Sequence, residues 1–215
     1  MSLPGTPLRG AVLTGNPVRR AITEVRRAPD TTRPLVLVFG GSLGAGRLNE
    51  AALGLYDRWR DRDDLAVCHV SGRRSYADCR QRLDALRRSG DRLAYELVEY
   101  EDHLEDRYRD ATVAVCRAGA VTVAELTVVG LPAVLVPLPG APHDHQTENA
   151  ATLADAGAAV LLADADAEAG RLAAELDGLL GDPARLDAMS AAGRALGRPE
   201  AAARVADLVE EAARA

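Results

Sequence analysis

The sequence predicts an α/β fold: a parallel sheet of about six strands flanked by helices, with a helical C-terminal tail. Three observations carry this. Short apolar runs recur along the chain, each is followed by a stretch with helical spacing, and the runs are continuously apolar rather than alternating. Continuous apolarity marks strands covered on both faces, as helices cover a parallel sheet.

The strand-length runs fall at 35–39, 65–70, 94–98, 112–116, 133–136 and 158–162. Helical spacing follows at 48–59, 76–88, 121–129 and 146–156, with a shorter turn at 102–109. Beyond the sixth run the pattern is helical throughout, at 167–180, 183–196 and 199–213. The first 34 residues are rich in Pro, Gly and Arg and read as a linker-like lead-in. The organisation expected is thus a lead-in over 1–34, one domain over 35–198, and a C-terminal helix over 199–215. Val205, Leu208 and Val209 form an apolar stripe on that last helix, suited to a partner or to its own domain.

Composition narrows the function classes. The 215 residues carry a formal net charge of -6, which argues against nucleic acid as a partner. All 26 basic residues are arginine, and they are scattered among acids rather than massed. The three cysteines, Cys68, Cys79 and Cys116, form no C-x-x-C pair and suit a reducing cytoplasm. No apolar run is long enough for a transmembrane segment, so the location expected is cytoplasmic, with any membrane contact peripheral. No cofactor is called for.

In an open parallel sheet, ligands bind beyond the carboxyl ends of the strands, and the unusual residues of this chain lie there. The first strand leads into Gly40-Gly41-Ser42-Leu43-Gly44-Ala45-Gly46 and then a helix. Glycines allow close backbone approach, and free N–H groups at a helix start favour phosphate, although a packing turn is the structural alternative. A P-loop would need a lysine, and a dinucleotide site would need other glycine spacing and an acid after the second strand. That strand ends Cys68-His69-Val70-Ser71, so neither fits. His69 reads as a core or edge histidine, and His103, in a charged turn, as solvated.

The fourth strand opens a second small-residue turn, Cys116 to Glu125, that contains Gly119 and Thr122. Glu125 either favours the helix N-terminus electrostatically or accepts both hydroxyls of a ribose. After the fifth strand, a proline-rich loop leads to His143, Asp144, His145, Gln146 and Asn149. His145, Gln146 and Asn149 share a helical face and offer the uncharged donors and acceptors that sugar hydroxyls need. Metal is disfavoured because only one such cluster exists, and Asp144 could instead cap the helix.

Taken in series, five segments resemble the C-terminal, donor-binding domain of the bacterial peptidoglycan N-acetylglucosaminyltransferases in glycosyltransferase family 28. They are GNPVR at 15–19, GGSLGAGRLN at 40–49, CRAGAVTVAEL at 116–126, GLPAVLVPLP at 130–139 and DHQTENA at 144–150. The resemblance implies a Rossmann-like half of a metal-independent inverting transferase that binds UDP-N-acetylglucosamine. It assigns Arg19 and Ser42, with Gly41 and Gly44, to the diphosphate. Glu125 goes to the ribose, with Gly119 and Thr122 shaping the turn. Main-chain groups around 100–104, which include Glu101, read the uracil. His145 and Gln146, supported by Asn149, read the sugar.

The same resemblance places the base and the binding of a lipid-linked muramyl-pentapeptide acceptor on an N-terminal domain. No such motif occurs in this sequence. The expectation is therefore the donor half of a transferase, supplied as a fragment, a split enzyme or a stand-alone module. A non-catalytic UDP-sugar module, or a related UDP-sugar transferase or epimerase, is the alternative.

Overall fold

The computed structural model describes residues 11–40 and 45–214, with the backbone alone for His143. Six strands form one sheet: β1 (Leu35–Phe39), β2 (Ala66–Val70), β3 (Ala94–Val98), β4 (Val113–Cys116), β5 (Ala133–Leu135) and β6 (Ala159–Leu161). All are parallel, in the order β3-β2-β1-β4-β5-β6, with Leu37 opposite Cys68 on one side and Ala114 on the other. Nine helices accompany them among the described residues: α1 (Arg20–Thr23), α2 (Gly46–Trp59), α3 (Tyr76–Leu86), α4 (Leu104–Asp110), α5 (Ala120–Val129), α6 (His145–Asp155), α7 (Ala169–Leu180), α8 (Pro183–Leu196) and α9 (Ala201–Arg214).

Alternation along each strand divides the core into two layers. Val36, Val38, Val113, Val115 and Val134 point to one face and pack with Leu48, Leu55, Leu83, Leu172 and Leu176 from α2, α3 and α7. Leu37, Phe39, Ala114, Cys116 and Leu135 point to the other and pack with Tyr108, Val123, Leu126 and Leu153 from α4, α5 and α6. Both faces are therefore apolar, which is why the strands read as unbroken hydrophobic runs. All three cysteines are buried and free, as small hydrophobes.

Residues 11–34, expected as a lead-in, lie against this domain. Ile22 is fully buried in the second layer. Arg27 donates to the carbonyls of Gly130, Ala111 and Thr112 and to Ser190 Oγ, at 2.9 to 3.2 Å. These bonds satisfy carbonyls at the end of α5 and the entry to β4, tying the segment to the base of the sheet. Gly15 holds φ +83°, and a Cβ there would stand 2.5 Å from Arg198 Cβ, so this turn packs on the residues that lead into α9. Gly130 ends α5 in the left-handed conformation, its N–H bonded to Leu126 O.

α9 is the least covered element. Of its residues Ala201 alone is buried, Val205 is 36% exposed and Val209 63%. No helix among the described residues is long and apolar enough to cross a membrane.

Candidate nucleotide-sugar site

β1 and β4 are neighbours, yet the helices that follow them, α2 and α5, lie on opposite faces of the sheet. The chain therefore diverges there and leaves a crevice beyond the strand ends, the usual ligand position in this topology. In the sequence the glycine-rich segment follows β1 and precedes α2, the two elements that border the crevice on this side. Gly41, Ser42 and Gly44 lie outside the described residues, but α2 starts at Gly46 with no side-chain cap on its first N–H groups. Asn49, from the same motif, points away from the crevice: its Nδ2 donates to Ser71 O at 3.1 Å, and its Oδ1 meets His69 Nε2 at 2.9 Å.

On the β4 side, Gly119 precedes α5 in extended conformation with no side-chain cap. Among the described residues a Cβ at Gly119 would meet Thr122 Oγ1 alone, at 3.9 Å. Glu125 lies one turn beyond Thr122, along one helical face. It is 7% exposed, and its Oε2 accepts a 3.0 Å hydrogen bond from the Tyr108 hydroxyl. The carboxylate of Glu125 thus engages α4, through the Tyr108 hydroxyl. Burial pushes the Glu125 carboxyl above the ordinary range; the Tyr108 bond and the charge of Arg19 oppose this, and Glu105 adds to it.

Arg19 stands where the lead-in reaches this cluster. Its Nη2 pairs with Glu105 Oε2 at 3.0 Å and its Nη1 reaches Asp102 O at 3.5 Å, with half the side chain exposed. Glu101, expected beside the uracil, turns its carboxylate elsewhere. It accepts from His103 N–H at 3.1 Å and pairs with Arg107 Nε at 2.7 Å, which holds its carboxyl below the usual range. Its side chain thus shapes the loop between β3 and α4. His103 is exposed, as expected.

The β5–α6 side is built differently. Gln146 Oε1 accepts from both Ala118 N–H (3.2 Å) and Leu138 N–H (3.0 Å), and Asn149 Nδ2 donates to Ala118 O (2.9 Å). Each side chain engages one end of its amide in tying the β4 turn to the β5 loop. His145 is exposed, with Nδ1 2.6 Å from Pro142 O. A carbonyl requires a donor, so Nδ1 carries the proton and Nε2 is the acceptor. Asp144 occupies the N-cap position of α6 in the left-handed conformation, φ 52°, but its carboxylate takes the Thr147 hydroxyl at 2.8 Å. The alternative reading of Asp144 as a backbone cap is not borne out. Among the described residues no group of three or more His, Cys, Asp or Glu could hold a metal ion.

Two functional candidates escaped the sequence reading. Tyr108 sits in the charged turn LEDRYRD, where its spacing four residues after Leu104 was the one available signal. Arg117 directly follows β4. Its nearly buried guanidinium donates through Nη1 to Val136 O (3.1 Å), Pro137 O (3.0 Å) and Asp164 Oδ1 (2.6 Å), joining three strand ends.

The chain resembles known proteins over nearly all of its length. Residues 35–209 match the model of the glycosyltransferase family 28 C-terminal domain. The chain is 45% identical over 213 residues to the UDP-N-acetylglucosamine--N-acetylmuramyl-(pentapeptide) pyrophosphoryl-undecaprenol N-acetylglucosamine transferase of Alkalilimnicola ehrlichii, covering 97% of this chain and 58% of that protein. The protein of the same name from Mycolicibacterium paratuberculosis is 40% identical over 217 residues, covering 95% and 51%. The crystal structure of Acinetobacter baumannii MurG superimposes with a TM-score of 0.77 at 28% identity, covering 98% of this chain and 59% of that one. A UDP-N-acetylglucosamine 2-epimerase from Listeria monocytogenes, at 17% identity and TM-score 0.61, shares the fold. The chain spans little more than half the length of the curated relatives it matches. With its family model met over most of its length and close relatives across nearly all of it, the chain belongs to glycosyltransferase family 28, as that family's C-terminal domain.

Proposed function

We propose that this domain binds UDP-N-acetylglucosamine in the β1/β4 crevice and serves as the donor half of an inverting N-acetylglucosaminyltransferase of peptidoglycan synthesis. The observation that carries the reading is Glu125: a buried carboxylate at the crevice, held at one oxygen by Tyr108, with no donor on its other oxygen among the described residues. A ribose diol supplies the two hydroxyl donors that such a group lacks. The names and extents of the relatives support the donor's identity.

In this reading the diphosphate lies over Gly41, Ser42 and Gly44 and the open N-terminus of α2, whose N–H groups favour the charge that develops as UDP departs. Arg19 exchanges part of its pairing with Glu105 for phosphate. The backbone of 100–104 reads the base. Gln146 Nε2, Asn149 Oδ1 and His145 Nε2, the ends without a partner among the described residues, face the sugar hydroxyls. The base and the lipid-linked acceptor surface belong to the part of the relatives that this chain does not span, which would bring the domain to the inner membrane face.

Calorimetric titration with UDP and UDP-N-acetylglucosamine tests this. Glu125→Ala should weaken UDP by about 2–3 kcal/mol, the loss of hydrogen bonds to a charged acceptor, or roughly thirty- to hundred-and-fifty-fold. Absence of saturable heat at millimolar donor would remove the donor reading. Unchanged UDP affinity in the variant would remove the ribose role.

A further inference from the structure

We propose that Tyr108 is the positioning residue of the ribose site: its hydroxyl holds Glu125 Oε2 so that Oε1 and the remaining lone pair of Oε2 meet the 2′,3′-diol of the nucleotide. The inference rests on the reading of Glu125 as ribose acceptor and goes beyond it by naming what sets that carboxylate's orientation and charge.

The geometry is one of enforced placement. Tyr108 is fully buried in α4, its ring tilted against Phe39 at the end of β1, centroids 6.0 Å apart. Ile22, Cys116 and Val123 complete the second core layer around it, so the ring cannot swing out without opening that layer. A buried phenol needs a partner for its O–H, and Glu125 Oε2 at 3.0 Å provides it. A glutamate side chain free to rotate loses rotamer entropy when a ligand orders it. Here that ordering is already made by the fold.

The charged and titratable groups around Glu125 are few. Arg19 approaches from the lead-in, Glu105 from α4 and the buried Cys116 thiol from β4. Arg19 is already paired with Glu105 and bonded to Asp102 O. The Tyr108 hydroxyl is therefore the direct hydrogen-bond donor to the carboxylate, and it favours the ionised form that a diol requires.

The test titrates the full chain with UDP and with 2′-deoxy-UDP from mildly acidic to neutral pH, in the unmodified protein, Tyr108→Phe and Glu125→Ala. Tyr108→Phe should move the acid midpoint of UDP affinity to higher pH, weaken UDP about fivefold at neutral pH, and reduce the preference for UDP over 2′-deoxy-UDP. Thermal melts establish that each variant folds. Site-specific 3-fluorotyrosine at position 108, a stronger donor of nearly the same size, should move the midpoint the opposite way. An unmoved midpoint in either variant, or a loss uniform across pH with the ribose preference kept, overturns the proposal. If instead Glu125→Ala binds UDP as the unmodified chain does, the ribose reading itself falls, whatever Tyr108→Phe shows.

Discussion

Two buried titratable groups sit near the carboxyl ends of this sheet, and they differ in how completely the protein satisfies them. His69, fully buried on β2, has both ring nitrogens engaged, Nε2 by Asn49 and Nδ1 by Tyr95, each at 2.9 Å. Glu125, nearly as buried on α5, has one oxygen engaged by Tyr108. Burial and a shifted pKa are common to both, so neither property separates a structural group from a binding group. Counting partners does. A closed set of hydrogen bonds has no capacity left for a ligand, and an open one at a crevice does.

Three measurements sharpen or break that contrast. The largest effect is expected for His69→Ala, which leaves a cavity and orphans the polar groups of Asn49 and Tyr95. It should lower stability by about 4 kcal/mol in denaturant unfolding. UDP affinity measured under folding conditions should be unchanged; a specific loss of UDP binding would make His69 part of the site.

Acid comes next. Burial depresses the His69 pKa from 6.5 to about 4, so between these values the unfolded chain holds a proton that the folded chain does not. Stability from this group is full above pH 6.5 and is lost as pH falls toward about 4, by up to about 3 kcal/mol. Unfolding curves across that window should be flatter for His69→Gln than for the unmodified chain; equal slopes would show that His69 is not held neutral.

The smallest effect is expected at Glu125. Burial raises its folded pKa above the unfolded value of 4.5, so the stability it contributes is present below 4.5 and is lost as pH rises through the folded value. At neutral pH the ionised carboxylate is a net cost to the ligand-free fold. Glu125→Gln should therefore raise Tm slightly, on the order of 2 °C, while weakening UDP. A fall in Tm would place Glu125 with His69, as a structural group.

Much of this was legible beforehand because it follows local rules. Each strand run expected from apolarity overlaps a strand, and the helical stretches overlap helices, since a parallel sheet imposes apolarity on both faces. The candidate site residues came from asking what lies after each strand. The one-turn helix α1 was not legible, because it is stabilised by packing Ile22 rather than by its own sequence. Nor was the double duty of Gln146 and Asn149, or the absence of the backbone cap at Asp144. Side-chain amides take whichever partners the neighbouring loops bring within 3 Å, and no spacing rule encodes that.

What the sequence by itself determined was the fold class, the order of its elements and the family, because these rest on periodicity and on motifs local in the chain. The tertiary structure decided which carboxylate is open. The sequence places Glu101 and Glu125 beyond strand ends but not their partners: Arg107 and the His103 N–H occupy the Glu101 carboxylate, while Tyr108, seventeen residues before Glu125, occupies one oxygen of the second. The reason is physical: hydrogen-bond satisfaction is a property of converging elements, and only the packing of α4 against α5 and β1 determines what converges.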